Sequence, residues 1–74
     1  MRGIPFDGSK LRRARLAKRM TAVALAQAVG VTYTQIWRLE TGLSSPSMDT
    51  LVRLEDVLGV TAAELGAEGM PPRT

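Results

Sequence analysis

Residues 21–42, TAVALAQAVGVTYTQIWRLETG, read as two short helices joined by a tight turn. Val23, Leu25, Ala26 and Val29 recur at helical spacing, Gly30 interrupts them, and Ile36 and Leu39 resume the period. Thr21 and Thr32 each stand immediately before a run, where a hydroxyl can accept from the unpaired amides of a first helical turn. Thr32 and Gln35 have the spacing of a capping box, and Gly30 and Gly42 fall where a helix needs a left-handed residue to end. Helices shorter than about 12 residues are marginal alone, because nucleation is costly. This pair must therefore lean on flanking helices.

The flanks are legible on both sides. Upstream, Asp7 or Ser9 caps a helix expected over about Lys10 to Arg19, with Leu11 and Ala14 inward, Leu16 or Ala17 at its margin and the cations mostly outward. Pro5 cannot sit inside a helix, so residues 1–8 are expected as an N-terminal arm from which Phe6 can pack back. Downstream, Leu43-Ser44-Ser45-Pro46 is a connecting loop, and Ser47 starts a fourth helix whose first turn carries Asp49, favourably placed for the helix dipole. Leu51, Leu54, Val57 and Leu58 give that helix a broad apolar stripe, and Gly59 ends it. Thr61 and Glu64 form a further capping box for a short fifth helix, TAAEL. The expected fold is all-α, five short helices over residues 9–66, with residues 67–74 as a flexible tail rich in breakers.

Composition narrows the function. The chain has 74 residues, 45% hydrophobic and 23% charged, as one small soluble domain does. A domain of this size buries about 60% of its unfolded surface, so its core is modest. There is no cysteine and no histidine, which removes disulfides, the usual zinc ligands and the commonest general base. Asp, Glu, Lys, Ser and Thr show no catalytic spacing, so no enzyme, cofactor or metal is expected. No apolar run approaches the roughly 18 residues of a membrane span, and MRGIPFDG lacks the apolar centre of a signal peptide. A cytoplasmic protein without membrane contact is expected. Charge is strongly segregated. Residues 1–38 carry eight Lys and Arg against Asp7 alone, net +7, whereas residues 39–74 set two Arg against six acids, net −4. Such asymmetry suits a basic face turned to a polyanion.

The pattern Leu25-Ala26, Gly30-Val31, Ile36, Leu39-Glu40, Gly42 and Pro46 resembles the helix-turn-helix of the phage-repressor family, the Cro-like or XRE-type DNA-binding domains, from about Lys10 to Leu65. The resemblance implies a lambda-repressor-like fold with the helix-turn-helix at helices 2 and 3. It also implies sequence-specific binding of double-stranded DNA by a transcriptional regulator, acting as a homodimer on a two-fold site. In that family the third helix enters the major groove by its N-terminal residues while the helix before it crosses the backbone.

Carried over residue by residue, the resemblance makes Tyr33, Thr34, Gln35 and Arg38 the base-facing candidates. Arginine can bind guanine bidentately, a hydroxyl serves several bases and glutamine suits adenine, although Gln35 can equally be spent on the capping box. Lys10, Arg12, Arg13, Arg19, Thr21, Thr32, Thr41 and Ser44 are the expected phosphate contacts, with Arg2 of the arm as a further cation. Arg15 resembles the family's inward arginine that pairs with the glutamate ending the recognition helix, here Glu40. Two positions depart from the family. Ala22 replaces a glutamine that contacts phosphate in many relatives, and the Leu43-Ser44-Ser45 loop lacks the cations that often grip the backbone. Trp37, one turn after Tyr33, stands at a usually polar position. The two aromatics can stack on each other over the core edge, touch sugars and thymine methyls, or anchor a protein partner, as an antitoxin or cofactor that keeps the motif as scaffold would.

Overall fold

In a computed structural model, residues 6–67 are described and form four α-helices and one 3-10 turn, with no strand among them. Helix α1 spans Gly8–Ala17, α2 Ala22–Val29, α3 Tyr33–Glu40, α4 Met48–Leu58, and the 3-10 turn Ala63–Leu65. The expected arm up to Pro5, including Arg2, and the tail from Glu68 onward lie outside the described residues.

Local chemistry sets each boundary. The Asp7 carboxylate accepts from the Ser9 amide at 3.0 Å and from the Ser9 hydroxyl at 2.7 Å, so α1 begins earlier than its apolar period indicated. Gly8, expected in the arm, is instead a buried residue of this first turn. A Cβ there would strike the Leu39 carbonyl and sit 2.6 Å from that of Glu40, so only glycine lets α1 approach the end of α3 this closely. Thr21 accepts from the Ala24 amide at 3.0 Å and Ser47 from the Thr50 amide at 3.2 Å. The fifth expected helix is only a 3-10 turn. Its capping box forms, with the Thr61 amide donating to Glu64 Oε1 at 2.9 Å, but Gly66 at φ +87° stops the chain after one turn.

The core is one cluster. Leu11 of α1, Leu25, Ala26 and Val29 of α2, Ile36 and Leu39 of α3, and Leu51, Leu54 and Leu58 of α4 are all buried. Leu65 and Ala67 close the cluster from the C-terminal side, so the expected tail begins inside the packed body. Phe6 packs against the same cluster. Two apolar residues of the sequence reading stand outside it, Val23 and Leu16, both about half exposed. Helix α3 packs on both α1 and α2, α2 on α4, and α1 on the 3-10 turn. The residue capping α1 meets the 3-10 turn where the Asp7 amide donates to the Leu65 carbonyl at 2.9 Å.

Candidate nucleic-acid interface

The turn between α2 and α3 is held from three directions. Gly30 takes φ +85°, and the amides of Gly30 and Val31 both donate to the Ala26 carbonyl, at 2.8 and 2.9 Å. Thr32 and Gln35 complete the capping box, the Gln35 amide donating to Thr32 Oγ1 at 3.1 Å and the Thr32 amide to Gln35 Oε1 at 2.8 Å. From α4, Arg53 donates to the Val29 carbonyl at 3.3 Å, satisfying the end of α2. Spacing along the chain gave no sign of that contact, which depends on two helices brought together by the core.

Beneath the motif, Arg15 grips Glu40 with both arms of its fork, Nε to Oε2 at 2.6 Å and Nη2 to Oε1 at 3.0 Å. Its third nitrogen, Nη1, donates to the Met20 carbonyl at 2.9 Å. The two side chains are only 11% and 10% exposed, so the pair is largely shielded from solvent. The hydrogen bonds to Glu40 raise the guanidinium above its ordinary value against the opposing effect of burial. Arg15 thereby ties α1 to the end of α3 and to the bend before α2 in one contact set.

Helix α3 sorts its side chains into three directions. Ile36 and Leu39 face the core. Tyr33, Trp37, Glu40 and Thr41 line one side of a cleft of about 320 Å³, with Arg12 and Arg15 of α1 and Ala22 of α2 opposite them. Thr34 and Arg38 are exposed and do not line it. Gln35 is exposed too, but its amide oxygen is engaged by the capping box, so a bidentate adenine contact would have to break that cap. Thr41 is similarly committed, its hydroxyl donating back to the Trp37 carbonyl at 2.8 Å. Ser44 is exposed in the loop after α3, and Thr21 and Thr32 are exposed caps.

The cations of α1 separate. Arg12 lies in the cleft beside α3, whereas Lys10 and Arg13 line a different hollow of about 410 Å³ with Val60 and Glu64, without any residue of α2 or α3. Adjacent helix positions diverge by about 100°, and that rotation puts Arg12 and Arg13 on different sides of the molecule. The family resemblance places both among the phosphate contacts, and the fold separates them. Arg19 is exposed in the bend between α1 and α2 at φ +57°, the one non-glycine left-handed residue among those described.

The arrangement has known counterparts. The helix-turn-helix family HTH_3 matches residues 11–65. Among solved structures, the restriction-modification controller protein C.AhdI from Aeromonas hydrophila is 26% identical over 77% of this chain and 86% of its own, with a TM-score of 0.72. The N-terminal DNA-binding domain of SinR from Bacillus subtilis is 26% identical over 86% of this chain and 94% of that one, TM-score 0.75. SinR has been solved in complex with DNA and with SinI protein. The P22 c2 repressor, in complex with a synthetic operator, shares the fold at 24% identity, over 82% of this chain and 94% of that one, with a TM-score of 0.76. No curated protein sequence matches significantly. With its motif, its inward ion pair and the family match over most of its length, the chain belongs to the XRE-type helix-turn-helix family.

Proposed function

We propose that this chain is a cytoplasmic transcriptional regulator that binds double-stranded DNA in a sequence-specific manner, as a homodimer on a two-fold site. The observation that carries the reading is the fixed presentation of Thr34 and Arg38. Both are exposed on a helix whose start is capped, whose end is tied to α1 by Arg15–Glu40, and whose inner face is fully packed. Preorganised donors of this kind suit base edges in a major groove, where Arg38 can take guanine O6 and N7 together. C.AhdI and SinR, relatives of similar fold, are named as a controller and as a master regulator, and SinR was solved on DNA. No helix among the described residues is long and apolar enough to cross a membrane.

A protein partner at Tyr33 and Trp37 is the second reading, favoured by the exposure of both rings, 52% and 46%, and by the solved pairing of SinR with SinI. Selection of sites from random duplex DNA separates the two. The DNA reading expects a preferred site, with Arg38→Ala costing about 1–3 kcal/mol on that site and relaxing preference at one base pair. Equal loss on all sequences removes Arg38 from base reading. Weak binding with no preference at low salt gives the lead to the protein partner.

A further inference from the structure

The two ends of α3 are held by different helices. Its C-terminal end is tied to α1 through Arg15 and Glu40, whereas its N-terminal end follows the turn after α2. Helix α4 packs chiefly on α2, and the side chain that crosses from it to that turn is Arg53. Its Nη1 donates to the Val29 carbonyl at 3.3 Å, and a Cβ on Gly30 would sit 3.3 Å from the same nitrogen, so the guanidinium occupies ground that the glycine leaves open. The other arm is turned to Asp49, one helical turn back on α4, with Nη2 3.8 Å from Oδ2. Helix α2 carries no cation in its own last turn. Arg53 supplies one there from another helix, at the carbonyl end where the helix dipole favours it.

We propose that Arg53 is a positioning residue for DNA recognition. By fixing the end of α2 it sets the direction in which the first turn of α3 leaves the motif, and with it the presentation of Thr34. This role rests on the DNA-binding reading, and Arg53 fills it through the Val29 carbonyl rather than by touching DNA. The Arg53 side chain is 55% exposed, so its bond and its ion pair add little to the unfolding free energy. Their value lies in narrowing the range of turn geometries before DNA arrives, which spares that ordering cost on binding. Arg15 and Arg53, from two supporting helices, thus fix opposite ends of one helix.

The test uses the whole chain with Arg53→Met, which keeps the apolar stem and removes the donors, and with Arg53→Lys, which keeps a cation. On a duplex selected by the wild type from random sequence, Arg53→Met is expected to bind about two- to tenfold more weakly, the worth of one hydrogen bond, at each of two salt concentrations. The slope of log affinity against log salt should keep its wild-type value, preference among single-base variants of the duplex should relax, and Arg53→Lys should recover part of the loss. Urea midpoints of the three proteins should agree closely. In the free protein, exchange of the Gly30 and Val31 amides, both bonded to the Ala26 carbonyl, should quicken in Arg53→Met while the amides of α1 keep their rates. A slope lower by about one unit would put Arg53 on a phosphate and overturn the positioning role. Unchanged affinity overturns it too, as does a loss fully accounted for by the fraction unfolded. Failure of the wild type to bind any duplex removes the DNA-binding reading instead, and the exchange rates at Gly30 and Val31 then decide whether Arg53 fixes the turn.

Discussion

Two arginines of the first helix and its exit show how one residue type takes opposite roles. Arg15 is almost wholly covered and makes three hydrogen bonds, two of them to Glu40. Removing it leaves a carboxylate inside the molecule without a partner, which costs about 3–5 kcal/mol for a buried pair. A domain of this length has only about 4–11 kcal/mol in total, so urea unfolding of Arg15→Ala should show a large share of the stability gone. A loss below about 1 kcal/mol would mean that the pair has the value of an exposed one. Arg19 is the converse case. Helices α1 and α3 end in the same motif, the Met20 amide bonding the Arg15 carbonyl at 3.2 Å as the Leu43 amide bonds that of Arg38 at 2.9 Å. In α3 the left-handed position is Gly42, at φ +81°, whereas in α1 it is Arg19, at φ +57°. A side chain in that conformation costs roughly 1 kcal/mol, and this one is exposed. Arg19→Gly should therefore raise the urea midpoint, a gain of about 0.5–1 kcal/mol, while weakening DNA binding if the cation meets phosphate.

At the scale of the element, helix starts in this protein depend on side-chain oxygens rather than on length. Asp7 holds the first turn of α1 through the Ser9 hydroxyl and amide, and those hydrogen bonds keep its carboxyl below the ordinary value. A lowered carboxyl favours the folded state above its unfolded pKa, and that contribution disappears as pH falls through the folded one. Melting temperature should therefore drop on acidification below about pH 4, and Asp7→Asn, which can still accept a hydrogen bond, should show a shallower drop over the same interval. Equal acid sensitivity in the two proteins would place the titrating group elsewhere. The 3-10 turn shows the limit of capping. Thr61 and Glu64 make the full box, and Glu55 Oε2 also accepts from the Ala62 amide at 2.7 Å, yet Gly66 leaves room for one turn only.

For the whole molecule, the decisive contacts bring the start of α1 onto the back of the motif. Gly8 lies against the terminal carbonyls of α3, and those belong to Leu39 in the core and Glu40 in the ion pair. Gly8→Ala should therefore cost about 1–3 kcal/mol by overpacking backbone against backbone, read as a lower melting temperature. The distribution of cations makes a second whole-molecule prediction. Arg12 shares the cleft with α3, and Arg13 shares a hollow with Val60 and Glu64. Arg12→Ala should lower the slope of log affinity against log salt by about one unit, and Arg13→Ala should leave it nearly unchanged. Equal slopes for the two variants would put both cations on the DNA.

Periodicity and caps alone determined the four helices, the two glycine stops of the motif and most of the core, because these are interactions between residues three or four apart. The inward position of Arg15 followed from its sharing the Leu11 face and from the family resemblance, whereas its partner, 25 residues away, came from the resemblance alone. Only the tertiary structure decided that Gly8 is buried against the end of α3, that Ala67 is core and that Arg53 closes the end of α2. It alone opened a cleft at Ala22 and parted Arg12 from Arg13. Each of those depends on which surfaces of distant helices meet, and a helix encodes in its own sequence which face is buried but not which neighbour will cover it.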